Sequence, residues 1–154
     1  MNKNRKRMVY LMGVMFVIIS VIYIRGIMFP EYKEMYMGNW GFSLPKASEC
    51  KEIYEKDTGS SFHGDGNRYH VYSYEEVEGI AEMVEWSKTE QNTRYFSSYR
   101  EAAENWLTQI GVESESYPDY ENVSYYYQRQ EDNSELILIW NSEEEKIYVL
   151  ESFM

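Results

Sequence analysis

Residues 135–141 read Glu-Leu-Ile-Leu-Ile-Trp-Asn, five large apolar side chains between polar ends. A β-strand turns successive side chains to opposite faces, so Leu136, Leu138 and Trp140 oppose Ile137 and Ile139. Both faces are then apolar, and a strand of that kind belongs in the middle of a sheet. Val123–Arg129 and Lys146–Glu151 flank it, with polar turns at Glu131-Asp132-Asn133-Ser134 and Asn141–Glu145. That spacing predicts a meander of hairpins. Tyr125, Tyr126 and Tyr127 alternate faces, which leaves Tyr126 as a candidate for contact with a partner. Two further strands are expected at Cys50–Asp57 and Asn67–Tyr74, the second with Tyr69 and Val71 on one face.

Helical spacing lies between the two groups of strands. Ser73 with Glu76, and Ser98 with Glu101, have the capping-box form that opens a helix. After the first come Val77, Ile80, Ala81 and Val84, widened by Met83 and Trp86. After the second come Ala102, Ala103, Trp106, Leu107 and Ile110, and Gly111 stands where a C-terminal cap belongs. The sequence therefore predicts an α+β domain of order β-β-α-α-β-β-β. In it an antiparallel sheet carries two amphipathic helices on one face, and one transmembrane helix precedes the whole.

The transmembrane expectation rests on Met8–Ile24, seventeen residues without a charge. A hydrocarbon core needs roughly 17–25 residues, and running on to Phe29 supplies them if Arg25 snorkels to the interface. Two alternatives are a cleaved signal peptide, but the run ends Tyr-Ile-Arg-Gly-Ile-Met-Phe-Pro without a small-residue cleavage pattern, and a lipoprotein signal, whose cysteine would stand right behind the run, where Cys50 comes far too late. Lys3, Arg5, Lys6 and Arg7 precede the segment, which would hold the amino terminus in the cytoplasm. The expected organisation is a cytoplasmic basic end at 1–7, a signal anchor at 8–29 in the lipid bilayer, a stem at 30–41 and an extracytoplasmic domain at 42–154. The expected location is the cell membrane, with a single pass. For the stem, Pro30 suits a helix start and Tyr32, Met35, Tyr36 and Trp40 suit one face; a plain linker is the alternative.

Charge narrows the function. The first thirty residues carry five of the 15 basic residues and none of the 26 acidic ones, leaving 10 against 26, a formal charge of −16 after Pro30. So acidic a segment argues against nucleic acid, whose phosphates need Lys and Arg. Cys50 is the single cysteine, so no disulfide within the chain is possible, and burial is expected for it. The core has to come from sixteen Tyr, six Phe and four Trp.

The most distinctive string is Thr58-Gly59-Ser60-Ser61-Phe62-His63-Gly64-Asp65-Gly66, followed by Arg68-Tyr69-His70-Val71-Tyr72. With Asp57 before it, this region resembles small, uncharacterised membrane proteins and lipoproteins of Gram-positive bacteria. Their Asp-Thr strand end is followed by a Gly-Phe-His-Gly-Asp-Gly loop and a tyrosine-rich strand. The resemblance covers roughly residues 42–74, and Ser61 stands where the loop's first glycine would. It implies a bacterial extracytoplasmic module and carries no activity with it.

Chemistry in that loop has three readings. His63 and Asp65, with His70 on the next strand, are candidate ligands for a divalent transition metal, since imidazole and carboxylate suit one. With two histidines and one cysteine in the chain, carboxylates would have to complete the set. Alternatively the glycines supply turn geometry and Asp65 bonds loop N–H groups. In the third reading Phe62 and His63 touch a partner. No nucleophile elbow, phosphate loop or dinucleotide fingerprint occurs, so no catalytic residue and no cofactor is assigned. Glu143-Glu144-Glu145 reads as a solvated turn. The leading functional expectation is a binding or accessory module contacting another membrane or envelope protein, the tyrosines and tryptophans being apt anchors. The alternative is a metal-dependent or hydrolytic domain centred on His63 and Asp65.

Overall fold

The computed structural model describes residues 11–20, 32–46, 50–59, 64–88 and 93–154. The chain divides into two compact units, Met1–Gly41 and Phe42–Met154. In the first, residues 11–20 form helix α1. Helix α2, Tyr32–Trp40, follows. Left-handed Gly41 ends α2, its N–H reaching Tyr36 O at 3.1 Å.

The membrane expectation has to be corrected. Among the described residues no helix is long and apolar enough to cross a membrane. At 1.5 Å per residue the ten described residues of α1 span about 15 Å, half of a hydrocarbon core of about 30 Å. The transmembrane helix, the signal anchor at 8–29, the single pass and the cell-membrane location therefore do not stand on this structure. Residues 8–10 and 21–29 of the apolar segment lie outside the described residues.

The second unit is built on six antiparallel strands. They are β1 Cys50–Asp57, β2 Gly66–Tyr74, β3 Ser87–Lys88, β4 Ser124–Arg129, β5 Glu135–Asn141 and β6 Lys146–Phe153. Their order across the sheet is β1-β2-β6-β5-β4-β3. The apolar run of β5 sits centrally beside β6, with Ile137 opposite Leu150 and Leu138 opposite Val149. Asn133 and Glu145 turn the two hairpins with positive φ. Asn141 Oδ1 accepts the N–H groups of Glu143 and Glu144, both at 3.0 Å.

One face of the sheet carries Tyr69, Val71, Tyr125, Ile137, Ile139, Tyr148 and Leu150. It packs against Phe96, Ala103, Trp106, Leu107 and Ile110 of helix α4, Thr93–Gln109. Left-handed Gly111 follows α4, and Val112 N–H returns to Leu107 O at 3.0 Å. The other face is apolar as well: Leu136, Leu138, Ile147 and Val149 are buried.

The fold-class expectation of two helices on one face is corrected too. In place of the helix from Ser73 there is only α3, Glu78–Ala81, four residues long. Ser73 is the penultimate residue of β2, paired with Lys51 of β1 and Lys146 of β6. Pairing on both sides occupies backbone groups that a helix start would need. Gly79 weakens what remains, and a single turn gains too few hydrogen bonds to offset nucleation. The stripe is not a buried face either, since Ile80 is buried while Val77 is half exposed. Trp86 leaves it to pack at a tilt of 51° against Trp140, with centroids 5.4 Å apart, and donates Nε1–H to Ile80 O at 2.8 Å. Trp140 belongs to the face opposite α4, so α3 and α4 lie on different sides of the sheet. The remaining difference is β3, too short for any alternation to announce it.

Candidate functional site

The glycine-rich string connects β1 to β2. Phe62 and His63, the candidates for metal and partner contact there, lie outside the described residues. The ends of the string form a lock. Asp57 Oδ1 accepts the Gly59 N–H at 2.8 Å. Thr58 N–H donates to Asn67 O at 3.0 Å, and Thr58 Oγ1 accepts from Asn67 N–H at 2.7 Å. Asn67 Nδ2 then donates to Gln109 Oε1 at 2.7 Å, tying the hairpin to the end of α4. Gly66 has φ 132°, and a Cβ there would stand 2.8 Å from Thr58 Oγ1. These contacts use the backbone and the side chains of Asp57, Thr58 and Asn67; Asp65 is exposed.

His70 does not join Asp65. It lies four residue steps along β2 from Gly66, roughly 13 Å at about 3.3 Å each. It lies on the face opposite α4, where its imidazole is buried and its Nδ1 stands 2.6 Å from Glu52 Oε1. Glu55 completes a group with Glu52 and His70 whose ligating atoms all lie within 4.8 Å of one another. Sequence reading missed both glutamates for a definite reason. Residues three apart on a regular strand face opposite ways. Here the register slips between Glu52, opposite Tyr72, and Tyr54, opposite Val71. Ile53 is the extra residue of this β-bulge, and Glu52 and Glu55 come to share a face. Tyr126, the remaining partner candidate, is half-buried on β4 with its hydroxyl donating to Gln128 Oε1 at 3.1 Å.

A cleft opens near the other face of the β1 edge, with a volume of about 340 Å³. Ile53 and Tyr54 of β1, Ser114–Asp119, and Glu144, Lys146 and Tyr148 line it. The segment over it begins as a single 3₁₀ turn, Ser114–Ser116. Tyr69 anchors that turn from below, its buried hydroxyl donating to Ser116 O at 2.7 Å. Burial first, and then the neighbouring Tyr148, push the Tyr69 hydroxyl far above its ordinary value, so it stays protonated. Tyr117 Oη lies 3.1 Å from Thr108 Oγ1 of α4.

At one side of the cleft Glu144 Oε2 accepts from Lys146 Nζ at 2.8 Å and from Tyr148 Oη at 2.7 Å. These two bonds, with Lys146 the stronger influence, hold the Glu144 carboxyl below its ordinary value. Burial and the bond to Glu144 push the Tyr148 hydroxyl up. Glu144 is therefore a fixed anion at neutral pH. Glu115 and Asp119 add two more carboxylates to the lining, against Lys146 as the basic group. The cleft draws on residues near 54, 117 and 146, and of these only the glutamate run at 143–145 stood out in the sequence. No protein-family model, no curated protein and no solved structure matches the chain.

Proposed function

We propose that the 42–154 unit is a binding module that takes a cationic side chain of a partner protein into the tyrosine-walled cleft. The observation that carries this reading is the lining itself. Tyr54, Tyr117 and Tyr148 accompany three carboxylates, while the ammonium of Lys146 is already bonded to Glu144. An aromatic face attracts a guanidinium or ammonium, by about 0.5–2 kcal/mol depending on desolvation. Carboxylates beside it supply ion pairs, and the formal charge of −11 on the chain favours encounter with a basic partner. The volume is at the small end of ligand pockets, the size for one side chain and its neighbours. Among the described residues no histidine lines the cleft, so Ser114 and Ser116 have no imidazole base there.

The test is an NMR titration of the full chain with two capped peptides, Gly-Tyr-Arg-Tyr-Gly and Gly-Tyr-Glu-Tyr-Gly. The arginine peptide should shift the ring signals of Tyr54, Tyr117 and Tyr148, less so as salt rises. Glu144→Gln and Tyr117→Ala should each weaken it about tenfold, as expected for losing an ion-pair contact and a cation–π contact, respectively, of about 1.4 kcal/mol. An equal response to the glutamate peptide, or indifference to both substitutions, would overturn the proposal.

A further inference from the structure

We infer that Glu52, Glu55 and His70 form a binding site for a divalent first-row transition metal ion, on the face of the sheet away from the cleft. The donor set is one imidazole nitrogen and two carboxylate oxygens. That chemistry suits Zn²⁺ and its neighbours and disfavours Mg²⁺ and Ca²⁺, which take oxygen ligands almost throughout. Three protein ligands with a fourth position left for water is a common arrangement for zinc.

The distances fit. Ligands bound to one zinc at about 2.1 Å can stand no more than about 4.2 Å apart. The three ligating atoms lie within 4.8 Å of one another, and Glu52 and Glu55 are exposed side chains able to close the remainder by rotation. His70 is the fixed member, held on β2 between β1 and β6 with 4% of its surface exposed. Its ring also stacks on Tyr72, with centroids 6.2 Å apart and planes 17° from parallel. A rigid buried imidazole and two mobile carboxylates at the rim give a site a metal can enter from solvent.

A His70–Glu52 ion pair alone would account for two of the three groups. It does not account for Glu55, which the bulge at Ile53 turns to the same face. Two carboxylates so close repel each other, which costs stability unless positive charge stands beside them. The lysines of β1 do not relieve this. Lys51 stands opposite Ser73 and Lys56 opposite Tyr69, residues of the α4 face. A cation bound between the carboxylates would.

The experiment uses the purified full chain, stripped with chelator and titrated calorimetrically with ZnCl₂, MnCl₂, MgCl₂ and CaCl₂. The expected result is one Zn²⁺ per chain, a melting temperature raised by several degrees in excess Zn²⁺, and no uptake of Mg²⁺ or Ca²⁺. Glu52→Gln and Glu55→Gln change exposed side chains, so they fold, and each should weaken Zn²⁺ binding at least tenfold. Bound Cu²⁺ should show an electron spin resonance signature of one imidazole nitrogen, lost in His70→Gln. His63→Ala and Asp65→Asn should leave uptake unchanged. No uptake, or uptake unaffected by Glu52→Gln and Glu55→Gln, would overturn the inference. Loss on His63→Ala would also overturn it, by moving the site to the glycine-rich loop.

Discussion

A methyl group at Gly66 would meet Thr58 Oγ1 at 2.8 Å, in a backbone conformation that side chains rarely adopt. Gly66→Ala should therefore cost about 2–3 kcal/mol, strain of about 1–2 kcal/mol plus roughly one hydrogen bond of the Thr58–Asn67 lock. Among the described residues a Cβ at Gly64 meets nothing within 4 Å, so Gly64→Ala should cost the strain alone. Urea unfolding of the two variants tests the ordering, and equal midpoints would refute the lock. Glu144 gives a pH-dependent contribution. Its carboxyl is depressed below 4.5 in the fold, so its stabilisation is complete above the unfolded value and lost as pH falls through the folded one. The group is more than a third exposed, so the effect stays below about 1 kcal/mol. The stability difference between the natural chain and Lys146→Met should persist at pH 7 and vanish well below pH 4.5; a difference that survives there would assign it to packing. Cys50 is buried, as expected of a lone cysteine that behaves as a small hydrophobe. What was hidden at this scale was Glu52 with Glu55, because a bulge changes the face of a residue without changing its letter.

Among the elements, the five long strands were legible because turn residues separate them and because β5 runs apolar while Tyr69 and Val71 of β2 share a face; β1, Cys-Lys-Glu-Ile-Tyr-Glu-Lys-Asp, has no such alternation. Cys50–Asp57 and Glu135–Asn141 lie where their patterns place them. Two features misled. Ser73 looks like a helix cap locally, yet strands on either side of β2 claim it; its neighbours in space come from residues 51 and 146. The Ser98 capping box lies inside α4, which starts at Thr93, so the amphipathic stripe was readable and its beginning was not. The apolar amino-terminal run reads as a span by composition alone, and the described helix covers ten residues of it. The cleft was not legible, since it exists only once the 114–119 segment is pinned by Tyr69 and Tyr117.

For the whole molecule the decisive feature is the strand order. β6 lies between β2 and β5, so the last strand joins the β1–β2 hairpin to the β4–β5 hairpin. Removing residues 146–154 deletes Ile147, Tyr148, Val149 and Leu150, all buried. The shortened chain should lose cooperative unfolding and bind a hydrophobic dye, whereas removing Met154 alone should change little because it is exposed. A folded product from the 1–145 chain would refute the central role of β6. There is a consequence for synthesis. A ribosome releases the two hairpins one after the other, each with an unpaired edge, and neither can find its permanent neighbour until the final strand has emerged. Long-range pairing of this kind is slow to form. A nascent chain that stops before β6 therefore exposes the edges of β2 and β5 in addition to those of β1 and β3, and surveillance by chaperones and proteases can tell it by those two extra edges from one in which β6 is paired.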